Sequence, residues 1–469
     1  MSQKSLTFKK KQHFLDLTRG IPAEKILFCP IDISKHFHIA ILHDINCQPF
    51  GGFFDFSASK LGFESLVSKL EERVASLSPQ LVFIGMEPSG IYYENLLFSL
   101  DLRYKESTSP RFQLCIVDPA AVSDNRKQHS LRFEKNDQID TAAIGELLTR
   151  GLYNRVHISS PLCIEIKEIS RSIKYLKSEL LRFWNRFLCR LDRVFPNLLI
   201  DYKDEKPICK EPLQSGLLDD LIRICPDPYS LLELNSSDII DLFHNKGRPL
   251  GSKRVAKIEQ AVKRALLLPR QYQAIHCHLL STEIQLLDSL KEQIKALSQR
   301  LSQLIRLTPA RHLLLIAGIS DNLTSEFVAA LEDWNRYPSI QQVWACAGLN
   351  PVQKQSGISS SPPEISKTGS VHLRNAIFKM ASTVIWHEPT FGIPCFERLL
   401  NSYPFIPTLL HIGRKLTNTA LTILKRDVAF QPPFSDYQAA KNQLLKLQEQ
   451  YLNLKKKKEK KKREKKSKP

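Results

Sequence analysis

Four carboxylates in the first third of the chain and one distant serine have the types and spacing to do chemistry. Asp32 lies in Ile31-Asp32-Ile33-Ser34-Lys35, and Glu87 in Glu87-Pro88-Ser89-Gly90-Ile91-Tyr92. Asp137 and Asp140 stand in Asn136-Asp137-Gln138-Ile139-Asp140, a spacing that lets both face one site from a single helical turn. Carboxylates so gathered raise each other's pKa unless a cation lies among them. Divalent metal is the usual answer, and paired metals acting on phosphodiesters are the best-known use. Far downstream, Ser356 lies in Lys354-Gln355-Ser356-Gly357, with Lys367 and Arg374 after it. A serine attacking a phosphodiester needs something to take its proton and cations to hold the developing charge. Lys354, Lys367 and Arg374 supply positive charge near the serine. Lys127 and Lys135 do the same ahead of the Asp pair. The residues point to metal-dependent phosphoryl transfer with a serine nucleophile in reserve.

Each residue also has a plainer reading. Asp137 suits a helix N-cap, and a Ser-Gly pair is ordinarily just a loop. Ser359, Ser360 and Ser361 match Ser356 in type. The lysines serve equally as solvated charge, and Tyr92 is expected to pack rather than to stack on a base. Order along the chain tips the balance for the acids.

Residues 26–155 alternate strand and helix signals. Strands are expected at Ile26–Ile33, His36–Leu42, Phe50–Phe56, Leu81–Met86 and Leu114–Val117. Helices are expected over residues 61–74, 91–100 and 139–148. Three meandering strands followed by alternating helices and strands is the order of a ribonuclease-H-like (RuvC-like) mixed α/β sheet domain. Such a domain carries an Asp on its first strand and further acids nearby. Residues 1–25 read as an N-terminal extension. From 160 to 306 the pattern becomes heptads: Ile166, Ile169, Ile173, Leu176, Leu180, Phe183 and Phe187, then Leu290, Ile294, Leu297, Leu301 and Leu304. Such spacing builds coiled-coil helices, paired within the chain or between subunits. A helical insertion interrupts them at about 196–268. Residues 308–430 read as a mostly helical domain that carries the serine and opens with a helix-hairpin-helix-like unit. Residues 443–469 read as a Lys-rich disordered tail.

The net charge is +19 over 469 residues. Ten Lys and one Arg against Glu459 and Glu464 give the stretch 455–468 a charge of +9, leaving about +10 on the body. A nucleic-acid partner fits this bias better than a membrane does. No apolar run reaches spanning length and no signal-peptide core opens the chain, so a cytoplasmic location is expected. The ten cysteines show no C-x-x-C pair and read as reduced, mostly buried thiols. His276-Cys277-His278 alternates around a helix rather than converging as a zinc site.

Taken in order, these motifs resemble the bridge-RNA-guided transposases of bacterial insertion sequences (insertion-sequence family one-hundred-and-ten). Further matching elements are Ala317-Gly318-Ile319, Gly348-Leu349-Asn350-Pro351 and Ile365-Ser366-Lys367-Thr368-Gly369 with Leu373-Arg374. The chain departs at Lys135-Asn136-Asp137, where Lys-Thr-Asp is more usual, and at Ala-Gly-Ile-Ser, where Pro-Gly-Ile-Gly is usual. The resemblance implies a DEDD tetrad of Asp32, Glu87, Asp137 and Asp140 holding magnesium, two ions per site, and Ser356 forming a transient phosphoserine–DNA link. It further implies donor and target DNA, a structured noncoding guide RNA, and a homo-oligomer, dimer or tetramer, joined through the heptads at the bacterial nucleoid. The competing readings are a RuvC-like junction resolvase or nuclease using metal-activated water, and a catalytically inactive nucleic-acid-binding relative.

Overall fold

The computed structural model describes residues 3–466 except 89, 130–135, 197–199, 202–205, 208–216, 246, 248, 353–354, 357–358, 361–363 and 366–368. Two compact units result. One comprises residues 1–159 and 350–366; the other comprises 160–349 and 367–469.

The first unit is built on a six-stranded sheet of order β3-β2-β1-β4-β5-β6. Its strands are β1 (Ile26–Asp32), β2 (Phe37–Ala40), β3 (Phe54–Ser57), β4 (Leu81–Met86), β5 (Arg111–Ile116) and β6 (Asn154–Arg155). β1, β4 and β5 run parallel, while β2, β3 and β6 are antiparallel to their neighbours. This mixed sheet is the RuvC-like arrangement anticipated from the strand order. β6 escaped notice because two residues carry no periodicity. The helices are α1 (Gln3–Thr18), α2 (Lys60–Leu77), α3 (Tyr92–Tyr104), α4 (Pro119–His129) and α5 (Asp137–Thr149).

Both faces of the central strands are buried, and the period-2 alternation divides them. Leu27, Cys29, Ile31, Val82, Ile84 and Met86 pack with Leu66 and Leu70 of α2 and Leu96 and Leu100 of α3. Ile26, Phe28, Leu81 and Phe83 pack with Ala143, Ile144, Leu147 and Leu148 of α5. The region expected to be a mere extension joins this second core. Phe14 of α1 is buried against Phe83, with ring centroids 5.5 Å apart, and edge-on to Tyr153. Leu17 and Ile21 pack against the same core, a pattern too short to mark a helix in a Lys-rich stretch.

In the second unit the heptad helices, α6 (Pro161–Val194) and Arg270–Arg306, pair with each other as an antiparallel hairpin. Arg300 Nη2 lies 2.8 Å from Glu165 Oε1 at one end, and Gln273 Nε2 donates to the Val194 carbonyl at 3.1 Å at the other. Of the two pairings the heptads allow, the one within the chain is present. Ile166 and Ile173 share a core with Leu301, Leu304 and Ile305. Trp184, Phe187 and Leu191 share another with Leu280 and Ile284. Ile169, Leu180, Phe183, Ile294 and Leu297 of the seams are partly buried against these cores. The insertion contributes Ile239, Phe243, Val255 and Ile258 to that second core, so its short helices (Leu217–Ile224, Pro228–Glu233, Ser236–Asn245 and Ser252–Arg264) cap one half of the hairpin.

The C-terminal helices are Asp321–Leu331, Ile340–Cys346, Val371–His387, Pro389–Leu400 and Phe405–Arg426. The expected helix-hairpin-helix entry begins as 3-10 turns, Pro309–Leu315, with Thr308 capping Ala310. A correction also applies to the tail, where helix Tyr437–Lys466 occupies the stretch expected to be disordered. Ala440 and Leu444 are buried in the C-terminal core, with Leu447 and Tyr451 packed against it. These apolar residues recur at steps of three and four, which supplies the burial that a purely charged segment lacks. Among the described residues no helix is long and apolar enough to cross a membrane.

Candidate active site at the carboxyl edge of the sheet

The alternation that builds the two cores also aims the first two acids. Asp32 ends β1 two positions beyond Pro30, in phase with Ile26 and Phe28 on the α5 face. Glu87 directly follows β4 and continues the Leu81, Phe83, Gly85 phase of the same face. Ile31 pairs with Met86 in the parallel ladder, so Asp32 and Glu87 leave adjacent strands at one level. This is the edge where open sheets of this kind place their ligands.

α5 brings the other two. Asn136, not Asp137, is its N-cap and accepts from the Gln138 amide at 3.0 Å. That frees Asp137 from the capping role and places it, with Asp140, in the first turn. Asp137 is exposed and Asp140 is buried. The helix lies close on the sheet because Gly145 has no side chain. A Cβ there would stand 2.5 Å from His43 Nε2 and 3.2 Å from Pro30 Cγ. His43 cannot readily yield, being stacked on Phe28 at 5.4 Å and hydrogen-bonded through Nδ1 to the Asp44 carbonyl at 2.7 Å.

Asp32 feels the other three acids. The Asp32 carboxyl is pushed up to about 6, first by burial and then by the negative charges of Asp137, Asp140 and Glu87. Partial relief comes from the Ile33 amide. A donor set made only of carboxylate oxygens, with one member held away from its charged state, suits a hard divalent cation. Among the described residues no three such groups stand at metal-ligand spacing. Asp140 instead holds Arg126 of α4, whose Nη1 lies 2.6 and 2.9 Å from its two oxygens. Sequence reasoning missed Arg126 because α4 is polar and shows no apolar period to reveal a helix.

A pH dependence follows from Asp32. Its folded-state pKa lies above the unfolded value, so its contribution favours the fold below about pH 4 and is lost as pH rises through about 6. Ionised Asp32 then costs the cation-free fold up to about 3 kcal/mol. Asp32→Asn is expected to raise the melting temperature in chelator at pH 7 by on the order of 5 °C, and to leave it unchanged at pH 4. Equal melting at pH 7 would show that the carboxylates do not strain the fold.

The serine lies on a β-ribbon. Pro351–Val352 pairs with Glu364–Ile365, and Gln355–Ser356 pairs with Ser359–Ser360, with Ser356 opposite Ser359. Residues 350–366 belong to the carboxylate-bearing unit, although the chain enters and leaves them from the helical one. Lys135, Lys354 and Lys367 lie outside the described residues. At the ribbon's base, Gly369 (φ 130°) passes so close that a Cβ would meet the Cys346 carbonyl at 2.3 Å. Arg374 Nη1 donates to the Ala347 carbonyl at 3.1 Å, and Arg414 donates to the Leu349 carbonyl. Arg374 therefore ties down the turn that launches the ribbon. Arg414 shares that task and was not anticipated, since beside Lys415 on an apolar-periodic helix it reads as solvated charge.

Two family models match the chain. A DEDD-type transposase model of the IS110 group, described as a transposase, matches residues 29–196. A second, described as the transposase IS116/IS110/IS902 family, matches residues 310–392. No curated protein matches the chain.

Proposed function

This chain being a DNA transposase that carries both IS110-type domains, we propose that Asp32, Glu87, Asp137 and Asp140 bind magnesium, two ions per site, and that Ser356 is the nucleophile. The observation that carries the reading is the shared face of the acids, expressed in the raised Asp32 carboxyl. Bound magnesium would neutralise the carboxylates and stabilise charge developing on a phosphodiester. Arg126 keeps Asp140 paired when no cation is there.

Ser356 Oγ attacks the DNA phosphorus and loses its proton. An Oγ–P bond forms while one bridging P–O bond breaks, and the deoxyribose oxygen leaves as a hydroxyl. The phosphodiester energy is retained in the phosphoserine link, so a second strand's hydroxyl can reverse the step and join the new DNA. What supports the serine is its ribbon, which belongs to the carboxylate unit. Lys135, Lys354 and Lys367 would meet phosphates. A noncoding guide RNA would select donor and target by base pairing, with the protein acting as a homo-oligomer at the nucleoid. The net charge of +19 matches so much phosphate.

Gly145→Ala tests whether the placement of α5 matters. The added methyl must lift the helix from His43 and Pro30, moving Asp137 and Asp140 away from Asp32. DNA cleavage is expected to fall about a hundredfold, while a melting assay shows loss of only about 1–3 kcal/mol. Unchanged cleavage would show that the α5 acids do not act with Asp32.

A further inference from the structure

The loops that leave Asp32 and Glu87 continue into the wall of a cavity of about 480 Å³, on the α2–α3 side of the same sheet edge. Lys35 follows Asp32 by three positions and Tyr92 follows Glu87 by five, and both line it. Tyr92 does not pack into the core as expected; it is 43% exposed, beside Ile91 at 73%. Opposite them stands the N-terminus of α2. Ser59 Oγ caps the Gly62 amide at 3.2 Å, leaving the Lys60 and Leu61 amides as first-turn donors with no intrahelical acceptor. Such a helix start, with Lys60 on it, favours an anion.

His38 supplies an independent pointer. It is 3% exposed yet lines the cavity. Its Nδ1 accepts the Ser34 amide hydrogen at 3.3 Å, which places the ring hydrogen on Nε2. That Nε2–H has no hydrogen-bond partner among the described residues. Burial holds the ring below the ordinary histidine pKa, so it remains a neutral donor. Asn95 adds an amide able to meet a base edge, and no acid lines the cavity.

We infer that this cavity holds one unpaired DNA nucleotide, its phosphate at the α2 N-terminus between Lys35 and Lys60 and its base against Tyr92. The volume of about 480 Å³ is enough for a base and its sugar. Strand-processing enzymes commonly take a nucleotide out of the stack in this way, and aromatic stacking is what a single strand offers such a wall. Placing this nucleotide next to the strand being cut rests on the proposed role of the carboxylates; its binding does not.

The test uses the full chain carrying Asp32→Asn, so that the DNA stays uncut and the role of the acids does not enter. Single-stranded DNA bearing 5-iododeoxyuridine is irradiated with this protein, at salt high enough to suppress binding by the Lys-rich terminus. The crosslink is expected on Tyr92 or its neighbours in the cavity wall. Adding Tyr92→Ala is expected to weaken single-strand binding about tenfold and to remove the crosslink, with duplex binding unchanged. Tyr92→Phe is expected to restore both. Equal single-strand affinity with and without the ring, crosslinks elsewhere, or preferential capture of RNA would overturn the inference.

Discussion

Ser356→Ala is expected to abolish both the covalent protein–DNA adduct and strand exchange, with a loss on the order of 10⁴-fold or more. The size follows from the role, since removing a nucleophile typically eliminates the whole advantage of covalent catalysis. Stability should barely change, because Ser356 ends a two-residue strand and the substitution removes one hydroxyl. The result also separates chemistries. A metal-dependent nuclease that activates water needs the carboxylates but not the serine, so it would cut DNA equally well as Ser356→Ala and form no adduct. That outcome would leave a transposase-type fold performing hydrolysis.

The second large effect belongs to Asp32. Asp32→Ala is expected to lower magnesium-dependent cleavage by about 10³-fold or more. Asp32 occupies the inner strand β1 and is the carboxylate on which the charges of all three others converge. Affinity for DNA should persist, since the basic charge is untouched. The fold should persist too, and in chelator at neutral pH it should gain stability. Site residues commonly show this opposition of function to stability. Cleavage surviving in Asp32→Ala would remove the metal assignment. A wild-type protein that binds DNA and shows no magnesium-dependent cutting would be a binding relative of these enzymes.

Much of the carboxylate-bearing unit was legible in its sequence. β4 was delimited residue for residue at Leu81–Met86, because an apolar run that short, bounded by turn residues, suits a buried strand and is too brief for a helix. The acids were legible through their order, since Asp32 and Glu87 both end apolar runs. α4 was hidden because its polar residues contact α5 rather than filling an apolar stripe, and Arg126 was hidden with it. α1 was hidden because Phe14, with Leu17 packed beside it, is too short an apolar pattern to mark a helix. The heptads were read correctly as seams, and the structure pairs them within the chain. Periodicity reports that a face is buried and says nothing of which chain covers it. The tail erred the other way, where charge masked Ala440 and Leu444. Grouping of the Ser356 ribbon with the acids depends on long-range packing that no local pattern encodes.

The most direct test joins the two halves of the account. Wild-type, Asp32→Ala and Ser356→Ala proteins are each incubated with magnesium and end-labelled donor DNA, then denatured and digested, and the DNA-linked peptide is weighed. The account predicts an adduct in the wild-type protein alone, on the peptide containing Ser356. Cleavage without any adduct, an adduct on another residue, or an adduct that survives in Asp32→Ala would contradict it.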